Sequence, residues 1–531
     1  MAILLGIDTG GTYTDSVLID TQQKQILAKS KTLTTYENLS TCIEESLDKL
    51  GNISNYQISR AVLSTTLATN AIMENKGGTV GLLLIGHDIS KPLPCRYKKL
   101  LKGRIDYRGN ITEPVDKQQI VDSALKMKPY IDALVISSVM STRNPNLELT
   151  AKRTAAELIG HVYCAHTVSN HLGYYQRTIT AVLNAQIMDI MKNFIDSVVK
   201  VFRSKHLCCP IYIMKSDGSL IPPECAVKRP IETMFSGPAA SITGAVHLSG
   251  MNSCIVIDMG GTTSDIGIVS NKKIPILQDG AKIGSWKTHI QSLDLSTVAL
   301  GGDSKIKYQN GEIVIGPEKV IPACRSHLPI DFTPTDILHC KNEYIQWSRE
   351  KSLLALGYQA DAAKLSKEKF LKKAEEGVLA KIKREFPLSY TDRNSPIVAV
   401  GAPARTWLSK AAELWKFPLS VPQHFEVANA VGAAVATVYQ TLDALVRFSS
   451  QACCFVLYCN EQEPEFYSEK ENAVEAAVTI LKKKAQQIIV AEKIQKAKTE
   501  YQITEKSLSN CNDKSASYLE TCIQVIIKGS F

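Results

Sequence analysis

From residue 2 the chain alternates short apolar runs with polar turns: AILLGI, SVLI and QILAKSKTL, then AVLST, TVGLLLIG and ALVISS, separated by amphipathic stretches. Short apolar runs bounded by turn residues predict buried strands, and the helical periodicity between them predicts an α/β fold. A long helical segment is expected from roughly Tyr174 to Ser204, and CPIYIMKSDGSLI opens a fresh strand after Pro210, which places a domain boundary there. The second half repeats the theme with SCIVIDMGG, DIGIVS, KKIPILQDGAKI and PIVAVGAPA, interrupted by a charged helical insertion from about Pro334 to Phe386. VANAVGAAVATVYQTLDALV, with Asn429 and Asp443 inside it, predicts a buried helix. From Phe448 onward, ACCFVLYC, a long charged helix and CIQVIIKGSF predict a small α+β appendage.

One pattern occurs twice. GIDTGGTYTDSVLI at Gly6–Ile19 and VIDMGGTTSDIGIV at Val256–Val269 share an apolar strand, Asp, Gly-Gly-Thr, a polar stretch and a second Asp. Asp8 and Asp258, Gly10 and Gly260, Gly11 and Gly261, Thr12 and Thr262, and Asp15 and Asp265 all differ by 250 in one register. Chance does not account for five identities in one frame.

Composition narrows the partners. A chain of 531 residues supports two or three domains. The net charge of +9 resides largely in Lys that alternate with Glu at helical spacing, as in KEKFLKKAEEGVLAKIKREF, so solvated helix faces and no nucleic-acid partner are expected. No apolar run is long enough for a bilayer span, and MAILLGIDTGG runs straight into a strand, so neither membrane nor secretory leader is expected. The 14 cysteines form no Cys-x-x-Cys pair and read as reduced thiols of a cytoplasmic protein. The ten histidines show no metal-ligand spacing.

The repeated motif carries phosphate chemistry. After a buried strand, Gly-Gly permits a tight turn with positive φ and lets an anion approach the backbone amides. Thr9, Thr12, Thr262 and Thr263 supply hydroxyls beside those amides, and Asp8 and Asp258 offer oxygen ligands for Mg2+. Two such turns, apposed, would hold a nucleoside triphosphate and its metal. A pair of tight hairpins with polar exits is the alternative. Neither Gly-x-x-x-x-Gly-Lys-Ser/Thr nor Gly-x-Gly-x-x-Gly occurs at these turns.

The paired turns resemble the phosphate motifs of the superfamily that contains actin, sugar kinases and heat-shock chaperone ATPases. Within it, residues 1 to 445 resemble the hydantoinase and 5-oxoprolinase family through GIDTGGTYTD, STTLATNAIMENKGGTVGLL, GRIDYRGNITEPVD, GYYQRTITAVLNA, YIMKSDGSL, FSGPAASITGA, IDMGGTTSDI and VANAVGAA, in that order. The resemblance implies duplicated actin-like ATPase domains flanking a nucleotide cleft. These would be a lobe at 1–205, a second at 206–447 with the insertion at 334–386, and the α+β appendage at 448–531. It places Gly401, Asn429 and Gly432 on the adenosine side, with close helix packing as the alternative for Gly432. Where the family has His-Gly-Thr the chain has Ser64-Thr65-Thr66, and Ser296 and Asp303 stand where the family has histidine and glycine.

The reaction implied is ATP-driven hydrolysis of a cyclic amide, such as a hydantoin or 5-oxoproline-like ring, through phosphorylation of the amide oxygen. ATP and Mg2+ would be the cofactors. Asp8 and Asp258 would hold the metal, and Asp15 and Asp265 would orient water or a cation or else serve as hairpin hydrogen-bond partners. Thr66, Thr69 and Asn70 are expected at the substrate, and Arg177 either pairs with a substrate carboxylate or braces its helix. A second enzyme subunit and a homo-oligomer are the expected assemblies. A small-molecule kinase and a nucleotide-gated binding or regulatory protein stay open as alternatives, and both gain weight from the two absent histidines.

Overall fold

Two apolar hairpins of one design stand at the centre of the architecture. Ile3–Thr9 pairs antiparallel with Tyr13–Asp20, which pairs in turn with Gln25–Leu33. Cys254–Met259 pairs antiparallel with Ser264–Val269. The computed structural model describes residues 3–35, 38–106, 109–169, 173–277, 279–344, 346–386, 395–449, 452–459, 464–491, 494–509 and 516–530. Among the predicted strands Ala2 of AILLGI, Gln278 of KKIPILQDGAKI and Phe531 of CIQVIIKGSF lie outside them, and of KKIPILQDGAKI only Lys282–Ile283 forms a strand among the described residues.

The chain forms two interleaved units, one of Met1–Tyr56, Ser236–Ile276 and Leu293–Val435, the other of Gln57–Phe235, Leu277–Ser292 and Ala436–Phe531. Spatial packing thus groups the chain differently from the linear spans 1–205, 206–447 and 448–531, because the N-terminal hairpin packs with segments from beyond residue 235.

In the first unit, Leu295–Val298, Ser264–Val269, Cys254–Met259, Ile397–Val400 and Leu419–Ser420 form a mixed sheet in that order. Pro334–Cys340, Arg349–Ala362 and Lys367–Glu385 supply the predicted helical insertion, and they bury Ile337, Leu356, Phe370 and Val378 against this sheet. Each has a local start signal. Thr333 and Asp336 form a capping box, while Ser348 and Ser366 accept from Lys351 N and Lys369 N. Ser236–Ser249 packs on Ala428–Val435 through small residues. There a Cβ on Gly244 would lie 1.8 Å from Ala428 O, so only glycine allows the contact.

The second unit holds a four-stranded parallel sheet, Val162–Cys164, Ala133–Ser138, Val80–Ile85 and Tyr97–Leu101 in that order. It also holds an antiparallel five-stranded sheet covered by Lys470–Ala491. The α+β character expected of the C-terminal region is present, but it begins earlier. The apolar stretch expected as one buried helix is helical only over Ala428–Val435 and becomes the strand Val438–Ser449. The alanine run favours helix, whereas Val438, Tyr439, Thr441 and Val446 favour a strand paired on both edges. The segment from Tyr174 to Ser204 is two helices, Tyr174–Gln186 and Met188–Ser204, broken at Ile187. Among the described residues no disulfide joins two cysteines, and no helix is long and apolar enough to cross a membrane.

Candidate functional site

The two glycine turns have the same hydrogen bonding. Gly10 N donates to Tyr13 O at 2.9 Å and Gly260 N to Thr263 O at 2.9 Å, while Asp8 pairs across its hairpin with Asp15 and Asp258 with Asp265. The 250-residue register of the sequence is therefore a register of backbone geometry. The reason expected for the glycines is not the one found: Gly10, Gly260 and Gly261 are outside the left-handed region. Space constrains two of them, since a Cβ on Gly10 would lie 3.0 Å from Tyr13 O and one on Gly261 would lie 2.7 Å from Asp303 Oδ2, whereas one on Gly260 would meet only Thr263 O at 3.4 Å.

The first unit brings the nucleotide-side candidates together. Asn429 Nδ2 donates to Asp8 Oδ2 at 2.6 Å, joining the strand that carries the first turn to the helix from Ala428. Gly401, at φ +91°, comes so close to Asp258 that a Cβ there would lie 2.5 Å from Oδ1. Thr12, Thr262 and Thr263 retain exposure on the turns, whereas Thr9 is fully buried and its hydroxyl is not offered to a ligand there. Gly432 serves the packing alternative: a Cβ would lie 1.8 Å from Ala240 O, so its role is contact with the neighbouring helix and not room for a nucleoside.

Charges divide the four carboxylates into roles. Lys31 Nζ donates to both oxygens of Asp15 at 2.7 Å and to Glu426 O at 3.2 Å. It also stands 4.9 Å from the Tyr13 ring centre. Burial raises the Asp258 carboxyl above its ordinary range, and the nearby charge of Asp15 adds to this, against a hydrogen bond from Ser241 and the charge of Lys31. Burial pushes Asp265 up to about 7 although Thr297 Oγ1 donates to Oδ1 at 2.6 Å. Crowded carboxylates that resist ionisation mark a place where a cation would be favoured.

The sequence assigned no role to several participants, although Asp303 stood out as a replacement for the family's glycine. The loop Gly301–Gly302–Asp303 buttresses the second turn, with Gly302 N donating to Gly260 O at 3.0 Å and Asp303 N to Gly261 O at 2.6 Å. Burial raises Asp303 to about 6, opposed by Arg325, whose guanidinium lies 5.7 Å from the Tyr13 ring centre. The GG pair of ALGGDS was a visible signal for this loop. Lys31 and Arg325 carry none, since a lysine on an alternating strand and an arginine in a loop look like solvent-facing charges.

The expected substrate residues belong to the second unit. Thr66 precedes the helix Leu67–Met73, Asn70 Nδ2 donates to Thr66 Oγ1 at 3.4 Å, and Thr69 Oγ1 accepts from Phe235 N at 3.3 Å. All three are partly exposed. Arg177 is a correction: it is fully buried, and its guanidinium donates to Ser138 O at 2.8 Å and Val139 O at 2.9 Å, so it braces the parallel sheet and does not face a substrate carboxylate. Behind it, Glu148, Cys164 and His166 place donor atoms within 4.8 Å of one another. Glu148 already accepts from Ser138 N, His166 N and His166 Nδ1, and burial pushes the Cys164 thiol up, so the cluster acts as a hydrogen-bonded brace.

Two family models match, the hydantoinase/oxoprolinase N-terminal region over residues 4–159 and hydantoinase/oxoprolinase over residues 177–338. Caprolactamase subunit alpha of Pseudomonas jessenii is 28% identical over 403 residues, covering 68% of this chain and 55% of that protein. Acetophenone carboxylase gamma subunit of Aromatoleum aromaticum is 27% identical over 366 residues, covering 59% and 49%. The chain thus spans about half the length of the curated relatives it matches. The nucleotide-free structure of acetone carboxylase has the same fold, with a TM-score of 0.80 at 17% identity over 99% of this chain and 88% of that one. The two matched regions contain both glycine turns between them, and the chain belongs to the hydantoinase/oxoprolinase family.

Proposed function

We propose that the chain is the ATP-using component of an enzyme that opens a cyclic amide, working with a second subunit. The observation that carries this reading is the pair of glycine turns with identical hydrogen bonding in one unit, bearing Asp8 and Asp258 beside Lys31. The name of the caprolactamase relative supports the ring amide as substrate, and its designation as a subunit supports the partner. The linear repeat is read as two actin-like lobes, 1–205 and 206–447, with 448–531 appended.

An amide carbonyl resists water because resonance stabilises it. In the proposed reaction the ring carbonyl oxygen accepts the γ-phosphoryl group of ATP, ADP leaves, water adds to the carbon, and the C–N bond breaks with release of phosphate and protonation of the nitrogen. The turn amides around Gly10 and Gly260 position phosphate oxygens. Lys31 holds Asp15 in place and offsets negative charge near Asp258. Asp265 holds a proton up to about pH 7 on the strand that follows the second turn. The hard oxygens of Asp8 and Asp258, in a crowd of carboxylates, fit Mg2+, which when bound would neutralise phosphate charge. Thr66, Thr69 and Asn70 are assigned to the substrate. With Ser64 and Ser296 in place of histidines, a substituted ring is favoured over 5-oxoproline itself.

A second reading follows from the acetophenone carboxylase relative: a ketone in place of the ring amide and carboxylation in place of hydrolysis. One assay separates them. The chain, alone and with its co-expressed partner, is given Mg-ATP and a panel of lactams, hydantoins and ketones, with and without bicarbonate, and ADP, phosphate and organic products are measured. Ring opening with equimolar ADP and phosphate supports the first reading, and bicarbonate-dependent turnover of a ketone supports the second. A phosphorylated product that persists would make the protein a kinase and end both.

A further inference from the structure

The second unit carries a groove of about 740 Å3 that the proposed reaction does not use. Its floor is the strand Tyr97–Leu101, the outer member of the four-stranded parallel sheet, and one wall is the helix Lys117–Met127. Every residue from Lys98 to Lys102 lines it. Successive side chains of a strand point to opposite faces, so only a space running along the strand's free edge meets all five.

Backbone direction points the same way. Leu101 O accepts from Gly86 N at 3.1 Å, so the peptide groups of Leu101, Lys99 and Tyr97 face the Val80–Ile85 strand. By alternation those of Lys98 and Leu100 face the groove. Lys102 N, on the groove side, reaches Gln119 Oε1 of the helix at 3.5 Å. Leu100 is 44% exposed there, an apolar foothold between charged neighbours.

The lining is strongly cationic. Lys98, Lys99, Lys102, Arg104 and Lys126 face it with only Glu113 and Asp122 as carboxylates. Lys98 is engaged by Asp88 Oδ1 at 3.0 Å and Ile89 O at 2.9 Å. Among the described residues, Lys99, Lys102, Arg104 and Lys126 make no ion pair. Lysines on an edge strand can simply guard against sheet-to-sheet aggregation. That purpose needs only projecting charges, whereas here the charges converge on a concave space whose second wall contributes another cation.

We propose that this groove binds an extended acidic segment of a partner protein, added as a fifth strand beside Tyr97–Leu101 with its carboxylates against Lys99, Lys102, Arg104 and Lys126. Main-chain hydrogen bonds to Lys98 and Leu100 set the strand, and the charges select its sequence. The site is independent of the ATP chemistry, so either reading can fail without the other.

The test uses the full chain and a fluorescein-labelled octapeptide of alternating Glu and Val, followed by fluorescence anisotropy. Three further probes are the same peptide with Lys for Glu, the same peptide N-methylated at alternate amides, and inorganic tripolyphosphate. Saturable binding of the acidic peptide is expected, weakened roughly tenfold or more by N-methylation and absent for the Lys peptide. The double variant Lys99→Glu/Lys126→Glu should weaken it by roughly tenfold or more with an unchanged thermal melt. Should that variant fold poorly, Lys99→Gln/Lys126→Gln serves, with a smaller loss in the same direction. Hydrogen exchange at residues 98 to 100 should slow when peptide is bound. Equal affinity for the N-methylated peptide, binding of tripolyphosphate without binding of peptide, or no saturation by the acidic peptide would each overturn the proposal.

Discussion

Replacing Asp265 by Asn should stabilise the protein, and by an amount that depends on pH. Asp265 is 8% exposed, Thr297 donates to its Oδ1, and burial lifts its carboxyl from 3.8 to about 7. The native protein therefore holds a proton there up to about pH 7, while the unfolded chain releases it above about 3.8. Between those values unfolding releases a proton, so rising pH favours the unfolded state. The stability linked to this proton is fully present below pH 3.8 and lost by pH 7. At about 1.4 kcal/mol per pH unit the loss amounts to about 4 kcal/mol in order of magnitude. Asn keeps the acceptor for Thr297 and nearly the same volume, but it does not titrate. Urea unfolding of wild type and Asp265→Asn, without nucleotide and in chelator, should give nearly equal free energies at pH 4 and a variant advantage that grows to about 4 kcal/mol by pH 8. A difference that stays constant with pH, or a variant less stable at pH 8, would refute the burial argument.

Asp258→Ala should lower Mg-dependent ATP hydrolysis roughly a hundredfold or more with an unchanged far-UV spectrum, the size seen when one transition-state contact is removed; undiminished ADP release in the purified variant would take Asp258 out of the site. Arg177→Ala should cost about 3–5 kcal/mol in urea unfolding, since it strands the buried Ser138 carbonyl, the part-buried Val139 carbonyl and the charge of nearby Glu148, and should leave KM for the organic substrate unchanged in whatever protein folds. A raised KM at full stability would return it to the substrate. Gly432→Ala should destabilise by roughly 1–3 kcal/mol or more through the clash with Ala240 O. ATP affinity measured by calorimetry on the folded fraction should not change, and a selective loss of ATP binding would restore the nucleoside role.

The repeated hairpins were legible because strand, turn and cross-strand Asp pair all depend on local residue order. The helical insertion at 334–386 was legible from its local charge pattern, but its division into three helices, each started by Thr333, Ser348 or Ser366, was not read there. What lay hidden depends on neighbours far along the chain. Lys31 reads as an outward lysine until Asp15, beside it across the hairpin, and Glu426 are seen to enclose it. Gly261 of the second turn is constrained by Asp303, some forty residues on, and not by its own φ. Arg177 stood between two roles in the sequence, because whether a helix face meets solvent or a sheet is decided by the Ala133–Ser138 strand. The alanine-rich stretch after Val427 changed from helix to strand at Val438 because the distant strand Ala516–Ser530 pairs with it there, and a second strand joins from Ala444; no local periodicity announces that.

The interleaving of the two units has a consequence for synthesis on the ribosome. The chain passes from one unit to the other after residues 56, 235, 276, 292 and 435, so neither is a continuous stretch that folds as it emerges. Ala430, Val431 and Ala434, which cover the Leu4 side of the strand Ile3–Thr9, are made more than four hundred residues after it. At roughly 5–20 residues per second that apolar face waits between about twenty seconds and a minute and a half for its cover. The nascent protein is thus a natural client for a holding chaperone, and truncations ending at 205 or 447 would leave the first unit or the second without one of its pieces.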